Sequence, residues 1–240
     1  LIGKAFENFK KKPKINTKIG NNHKKVKSFN LKILKETFRN SLKLLKYKKI
    51  NILYLHNPRK IKNEEKVFEY LKLLKKEKKI NNYGLSISKD FVYKDNFINN
   101  FDIIQLDHNV LYLDNYLNNQ LKKKIIHARS PLASGTIFLN SKKKFSKNDH
   151  RNKWVDLKRR KTIISQLKMI KKKFKMNIYY LSLKFLFEDK FVNKIIFGVK
   201  NEVQLLSLIN SIKRINQISL NIKNYRNFYF SNNIFKKRGF

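Results

Sequence analysis

Six short apolar runs alternate with helix-patterned segments, and this order constrains the fold more tightly than any composition figure. The runs lie at residues 14–20, 50–58, 83–88, 101–106, 124–130 and 191–197. Most are near-continuously apolar, as expected of strands covered on both faces. Strand followed by helix, six times over, predicts an α/β fold with a parallel sheet and covering helices. An open doubly wound sheet and a closed barrel both accommodate that order. No Gly-rich dinucleotide turn follows any run, which removes the open sheet's best marker. Polar residues at successive strand ends favour a barrel mouth instead: Lys18, His56, Ser86, Gln105 and Ser130 are placed to converge on one pocket. The sharpest of these ends is that of residues 50–58, an apolar run with an imidazole at its C-terminal end, stopped by Pro58.

Helical spacing between the runs supplies the covering layer. Residues 1–9 read as a helix end with Ile2, Phe6 and Phe9 on one side, and Ser28 as the N-cap of a helix buried through Leu31, Leu34, Phe38, Leu42 and Leu45. Asn63 caps a helix buried through Val67, Leu71 and Leu74, with Glu64 and Glu65 in its first turn, where the helix dipole favours acid. Short helices are predicted near residues 90–98 and 116–121. Ile163, Leu167, Ile170 and Phe174 share one face, and Asn177 caps a further helix through Leu181 and Leu186. Leu205, Leu208 and Ile212 line the helix after the last strand. Residues 140–160, with Trp154, read as the least structured stretch, and residues 219–240 show no clear period.

Charge is the strongest compositional signal: 57 Lys plus Arg against 16 Asp plus Glu give +41. Lysine lies between apolar helix positions throughout, as A/T-rich codon usage would place it at permissive surface sites. There is no helix-turn-helix, zinc or aromatic-platform signature beside it, so salt-sensitive sticking to polyanions is expected rather than a specific nucleic-acid function. Cysteine is absent, which excludes disulfides, thiol catalysis and thiolate metal sites. No metal site is expected, and a cytoplasmic setting is the simpler expectation. No run is long enough to span a bilayer, so no membrane association is expected.

Six blocks, in order, resemble the aldo/keto reductase family. Asn16-Thr17-Lys18-Ile19-Gly20 is similar to its catalytic-lysine strand, and Ile52-Leu53-Tyr54-Leu55-His56-Asn57-Pro58 to its catalytic-histidine strand. Tyr83-Gly84-Leu85-Ser86, then Ile103-Ile104-Gln105-Leu106 with Asn109, then Arg129-Ser130-Pro131-Leu132-Ala133-Ser134-Gly135 resemble the cofactor-facing blocks. Ile195-Ile196-Phe197-Gly198-Val199 with Gln204 resembles the last strand and the adenosine-side loop. The resemblance covers residues 1 to about 212. It implies a (β/α)8 TIM barrel that reduces a small carbonyl, or oxidises the alcohol, by hydride transfer, with NADP(H) expected ahead of NAD(H). Lys18 and His56 would be catalytic, and Ser86, Gln105, Ser130, Leu132, Ser134, Gly198, Lys200 and Gln204 would hold the cofactor. Lys200 would meet a 2′-phosphate.

In that chemistry a tyrosine donates the proton, a lysine lowers its pKa, a histidine orients the carbonyl and an aspartate pairs with the lysine. No Asp or Tyr of this sequence stands in the family's motif. Six strands are read where such a barrel has eight. The expectation is an incomplete barrel with strands 3 to 8 present and the first two missing, a fragment spanning residues 1–218 followed by a tail at 219–240, and inactive as 240 residues. The sequence also departs from the family at Ile87, where Asn is usual, at Arg129, where an aromatic is common, and at Ser207-Leu208, where Glu-Asn often follows. A non-catalytic barrel or a basic polyanion-binding protein therefore stand as alternatives.

Overall fold

The computed structural model describes residues 1–21, 28–58, 61–88, 95–113, 119–141, 145–232 and 234. Six strands, β1 (Asn16–Ile19), β2 (Ile50–His56), β3 (Ile80–Ser86), β4 (Ile103–Asp107), β5 (Ile125–Arg129) and β6 (Lys194–Ile196), follow in sheet order β1-β2-β3-β4-β5-β6. The pairings β1 with β2, β2 with β3, β3 with β4 and β5 with β6 are parallel, as strand-helix alternation requires. The chain divides into two compact units, one of Leu1–Leu106 with Lys123–Ile125, the other of Asp107–Lys122 with the chain from Ile126 onward.

In the first unit, α1 (Ile2–Ala5), α2 (Leu31–Leu45), α3 (Glu64–Lys76) and α4 (Asp95–Asn99) accompany β1 to β4. Period-two alternation divides the strand residues. Ile19, Leu53, Leu55, Leu85 and Ile104 point one way and are buried, while α2 and α3 bury Leu34, Phe38, Val67, Leu71 and Leu74. Ile52, Tyr54 and Ile103 form a separate buried cluster on the other face. Phe68, Phe97 and Phe101 pack with ring centroids 5.3–5.4 Å apart, which gives the unit an aromatic centre. Asn63 caps α3 as the spacing predicts, its Oδ1 accepting the Lys66 N–H at 3.1 Å.

Two local readings change. Asn30, not Ser28, is the cap of α2, and its Oδ1 accepts from the Lys32 N–H at 2.9 Å; Ser28 instead accepts from the Asn30 N–H, one step outside. Residues 1–9 make only the single turn of α1. Ile2 and Phe9 are exposed, and it is Gly3 that packs, so close to α2 that an added Cβ would lie 2.3 Å from the Leu44 carbonyl oxygen. The starts of the helices expected at 90–98 and 116–121, and the end of the tail, lie outside the described residues.

The second unit holds α5 (Asn119–Lys122), α6 (Leu157–Phe174), α7 (Ile178–Glu188), α8 (Glu202–Ile215) and α9 (Ile222–Ser231). Residues 145–160 carry more structure than their composition suggests. A 3-10 helix spans His150–Lys153, and α6 already begins at Leu157. The tail forms α9, whose Tyr225 and Tyr229 are fully buried among Val110, Leu111, Leu113 and Phe185. Their hydroxyls donate to the carbonyls of Val110 at 2.7 Å and Leu111 at 3.3 Å. Along α8 the buried stripe is Leu208, Ser211 and Ile215, which leaves Leu205 exposed. Among the described residues, no helix is long and apolar enough to cross a membrane.

Candidate active site

The first unit brings four of the expected site residues to one end of its strands. Parallel register places Lys18 opposite Tyr54, then His56 opposite Ser86 and Ser86 opposite Gln105. His56, Ser86 and Gln105 therefore form one rung, and Lys18 lies two residues lower on the same face, about 7 Å of strand rise. One rung down, Tyr54 lies beside Gly84, and an added Cβ at Gly84 would meet the Ile103 carbonyl oxygen at 2.7 Å and the Tyr54 ring at 2.9 Å. The glycine of this block is thus explained by close approach of ring and backbone.

Ser86 and Gln105 are both buried, and the Ser86 hydroxyl donates to Gln105 Oε1 at 3.0 Å. That bond fixes the amide so that Gln105 Nε2 remains a donor and Ser86 Oγ an acceptor, a matched pair for a carboxamide. The half-buried His56 is held through Nδ1, which lies 2.9 Å from Asn21 Nδ2. An amide N–H donated to Nδ1 keeps the imidazole proton on Nε2. Asn57, the next residue, takes left-handed φ 51° and ties the rung together. Its N–H donates to the Ser86 carbonyl at 2.7 Å, and its Oδ1 accepts from the Ser88 N–H at 3.1 Å. Neither asparagine was expected to matter; position next to the histidine was the one available signal for Asn57.

Among the described strand residues, Tyr54 is the tyrosine nearest this end. Burial pushes its phenol well above the usual range, so it stays protonated and holds its proton tightly at neutral pH. Ile87, where the family often has Asn, is buried.

In the second unit, Ser130 has φ 55° and its carbonyl accepts from Asn109 Nδ2 at 2.9 Å and from the Ala133 N–H at 2.8 Å. Leu132 is half-buried, whereas Ser134 is exposed on a turn of left-handed residues. Arg129 forms an ion pair with Asp107, Nη2 to Oδ2 at 2.9 Å. Gly198 and Lys200 are exposed, and a side chain at Gly198 would meet nothing within 4 Å. Gln204 is used locally. Its Oε1 accepts the Lys200 N–H and its own N–H donates to Asn201 Oδ1, both at 2.9 Å, so that it braces the loop before α8. Leu208 is buried with Leu183 and Ile215. Burial, with the Lys194 charge adding to it, pushes the His127 imidazole down and keeps it neutral in the core.

The family model for aldo/keto reductases matches residues 1–221. The chain belongs to the aldo/keto reductase family. Solved aldo-keto reductases share its fold. The enzyme from Bacillus halodurans in its holo form superimposes with a TM-score of 0.66 and 17% identity, over 91% of this chain and 77% of its own. Its apo form gives 0.60 and 16%, over 88% and 69%. The glycerol dehydrogenase of Gluconobacter oxydans gives 0.63 and 14%, over 92% and 78%. A search of curated protein sequences finds no match. Aldo/keto reductases are oxidoreductases that use nicotinamide cofactors on small-molecule carbonyls, and the rung of His56, Ser86 and Gln105 lies in the blocks that carry the family resemblance.

Proposed function

We propose that this protein is an NAD(P)H-dependent carbonyl oxidoreductase of aldo/keto reductase type. The observation that carries the reading is the buried Ser86–Gln105 pair beside His56: one donor and one acceptor, fixed by their mutual hydrogen bond, suited to a carboxamide. When bound, the nicotinamide cofactor supplies the hydride. His56, held at Nδ1 by Asn21, directs its Nε2–H toward the carbonyl oxygen and orients it. Lys18 places a half-buried positive charge on the same face, where it favours the ionised form of a neighbouring phenol acid. Ser130, Leu132, Ser134 and Gly198 serve the rest of the cofactor, and Gln204 serves by bracing its loop. Lys200, exposed in the loop whose backbone Gln204 holds, offers its ammonium to a 2′-phosphate.

A second reading, a non-catalytic barrel that keeps the cofactor site, is favoured by Tyr54. A buried phenol with a raised pKa is a poor proton donor for this chemistry. On the first reading these 240 residues bind NADPH saturably, 1:1, and oxidise it when an aldehyde is added; on the second they bind it without aldehyde-dependent oxidation. Titration followed by fluorescence at physiological salt, with a coupled absorbance assay, checks both. Binding that vanishes with added salt would leave only polyanion attraction and remove the cofactor reading. Turnover near ordinary enzyme rates, about 10 per second, would remove the non-catalytic one.

Lys200→Glu is expected to raise the NADPH dissociation constant about 10-fold and leave that for NADH within about 2-fold. Equal effects on the two cofactors would show that Lys200 does not meet the 2′-phosphate.

A further inference from the structure

The 3-10 segment Ala133–Phe138 contains three consecutive left-handed residues, Ala133 at φ 47°, Ser134 at φ 54° and Gly135 at φ 81°. Only the last is a glycine, so this backbone needs to be held. Part of the hold is internal: the Ala133 N–H donates to the Ser130 carbonyl and the Gly135 N–H to the Leu132 carbonyl, both at 2.8 Å, and Thr136 Oγ1 donates to the Ala133 carbonyl at 2.7 Å. A further contact comes from the 3-10 helix His150–Lys153. Arg151 Nη1 donates to the Ser134 carbonyl at 3.2 Å, and an added Cβ on Gly135 would lie 2.7 Å from the same nitrogen. The guanidinium is seated on the turn.

Arg151 is itself held on two further sides. Its Nε donates to Asp149 Oδ1 at 2.8 Å and its Nη2 to Asp149 Oδ2, a bidentate fork, while its Cζ lies 4.1 Å from the Phe145 ring centroid. Asp149 also caps the 3-10 helix by accepting the Arg151 N–H at 2.9 Å. With Nε and Nη2 committed to the carboxylate, Nη1 faces the turn. A lysine has no second arm for this geometry.

We propose that Arg151 is a positioning residue for cofactor binding: it fixes the backbone of residues 133–135 and with it Ser134, one of the residues that serve the cofactor. The proposal rests on the nicotinamide-cofactor reading above. It assigns the stretch at 145–153 the task of setting that turn.

Arg151→Gln and Arg151→Lys, compared with the wild-type chain, test it through NADPH affinity and amide hydrogen exchange over residues 130–139. Both variants are expected to raise the NADPH dissociation constant about 10-fold and to speed exchange in the turn, with the global melting temperature unchanged. Should Arg151→Gln lower global stability, Asp149→Asn releases the fork without removing the guanidinium, and the same faster local exchange with weaker NADPH binding is expected. Wild-type affinity and exchange in Arg151→Gln would overturn the proposal. Full affinity in Arg151→Lys would overturn positioning in favour of charge alone. A wild-type chain that binds no NADPH would overturn the cofactor reading itself, and this proposal with it.

Discussion

Asp189→Asn is expected to cost about 3–5 kcal/mol of folding stability, a large share of what a domain of this size has. The Asp189 side chain is fully buried, just after α7, and three groups of the second unit meet on it. His108 Nε2 lies 2.9 Å from its Oδ2, Arg226 of α9 pairs with its Oδ1, and the Phe191 N–H donates to the same oxygen at 3.0 Å. The amide would leave the Arg226 guanidinium without its counter-charge in an apolar setting. Urea denaturation measures the loss, and a melting temperature lower by on the order of 10 °C should accompany it. A neutral Asp189→Asn would mean that solvent screens Arg226 fully. Removing Arg226 as well, as in Asp189→Leu with Arg226→Met, should recover part of the loss, since the guanidinium is then not stranded.

The same carboxylate sets an acid limit. Burial alone would raise its pKa, but the His108 hydrogen bond and charge, the Phe191 N–H and the Arg226 charge outweigh burial and hold it below the ordinary value. In the unfolded chain the group titrates near 4. The folded state thus binds fewer protons, so this stabilisation is complete above the unfolded pKa and is lost as pH falls through the folded one. Asp189→Asn should flatten the acid limb of a stability-against-pH curve, and an unchanged limb would count against the assignment.

Gly84→Ala is the second large effect, expected at about 1–3 kcal/mol, with Gly84→Val worse. The added methyl would stand 2.7 Å from the Ile103 carbonyl oxygen and 2.9 Å from the Tyr54 ring, and the nearer obstacle is backbone. Truncating the ring, as in Tyr54→Leu, should therefore not rescue the variant. Because Gly84 lies two residues before Ser86 on the same strand face, relief of the clash displaces the rung that pairs Ser86 with Gln105. NADPH affinity should fall together with stability in Gly84→Ala. Wild-type stability in that variant, or full rescue by Tyr54→Leu, would show that the β3–β4 spacing yields easily.

Much of this was legible in the chain because local rules produce it. A near-continuous apolar run stopped by proline is a strand wherever it lies, and the period-two rule then places Tyr54 and His56 on one face. Asn63 and Asn177 cap their helices through bonds that reach two or three residues. The order of the blocks carried the family as well, since each block is a strand end with its own short pattern. Where neighbouring candidates competed, local rules were less decisive: Asn30 lies two residues after Ser28, and both can accept an N–H. The helix of the tail left a trace in Ile222, Tyr225 and Tyr229, spaced three and four apart, but lysines and asparagines between them hid it.

By itself, then, the sequence determined the alternating α/β plan, the family and the four polar strand ends at Lys18, His56, Ser86 and Gln105, because period, capping and strand-end position act over a few residues. Tertiary structure alone decided the partners that lie far apart along the chain. Asn21 meets His56 across 35 residues, Asp189 meets His108 across 81 and Arg226 across 37, and Arg151 reaches the Ser134 carbonyl across 17. Such pairs leave no periodic mark on the chain. Partners of this kind are chosen by where packed elements bring their ends and by the cost of burying a charge or a polar group alone.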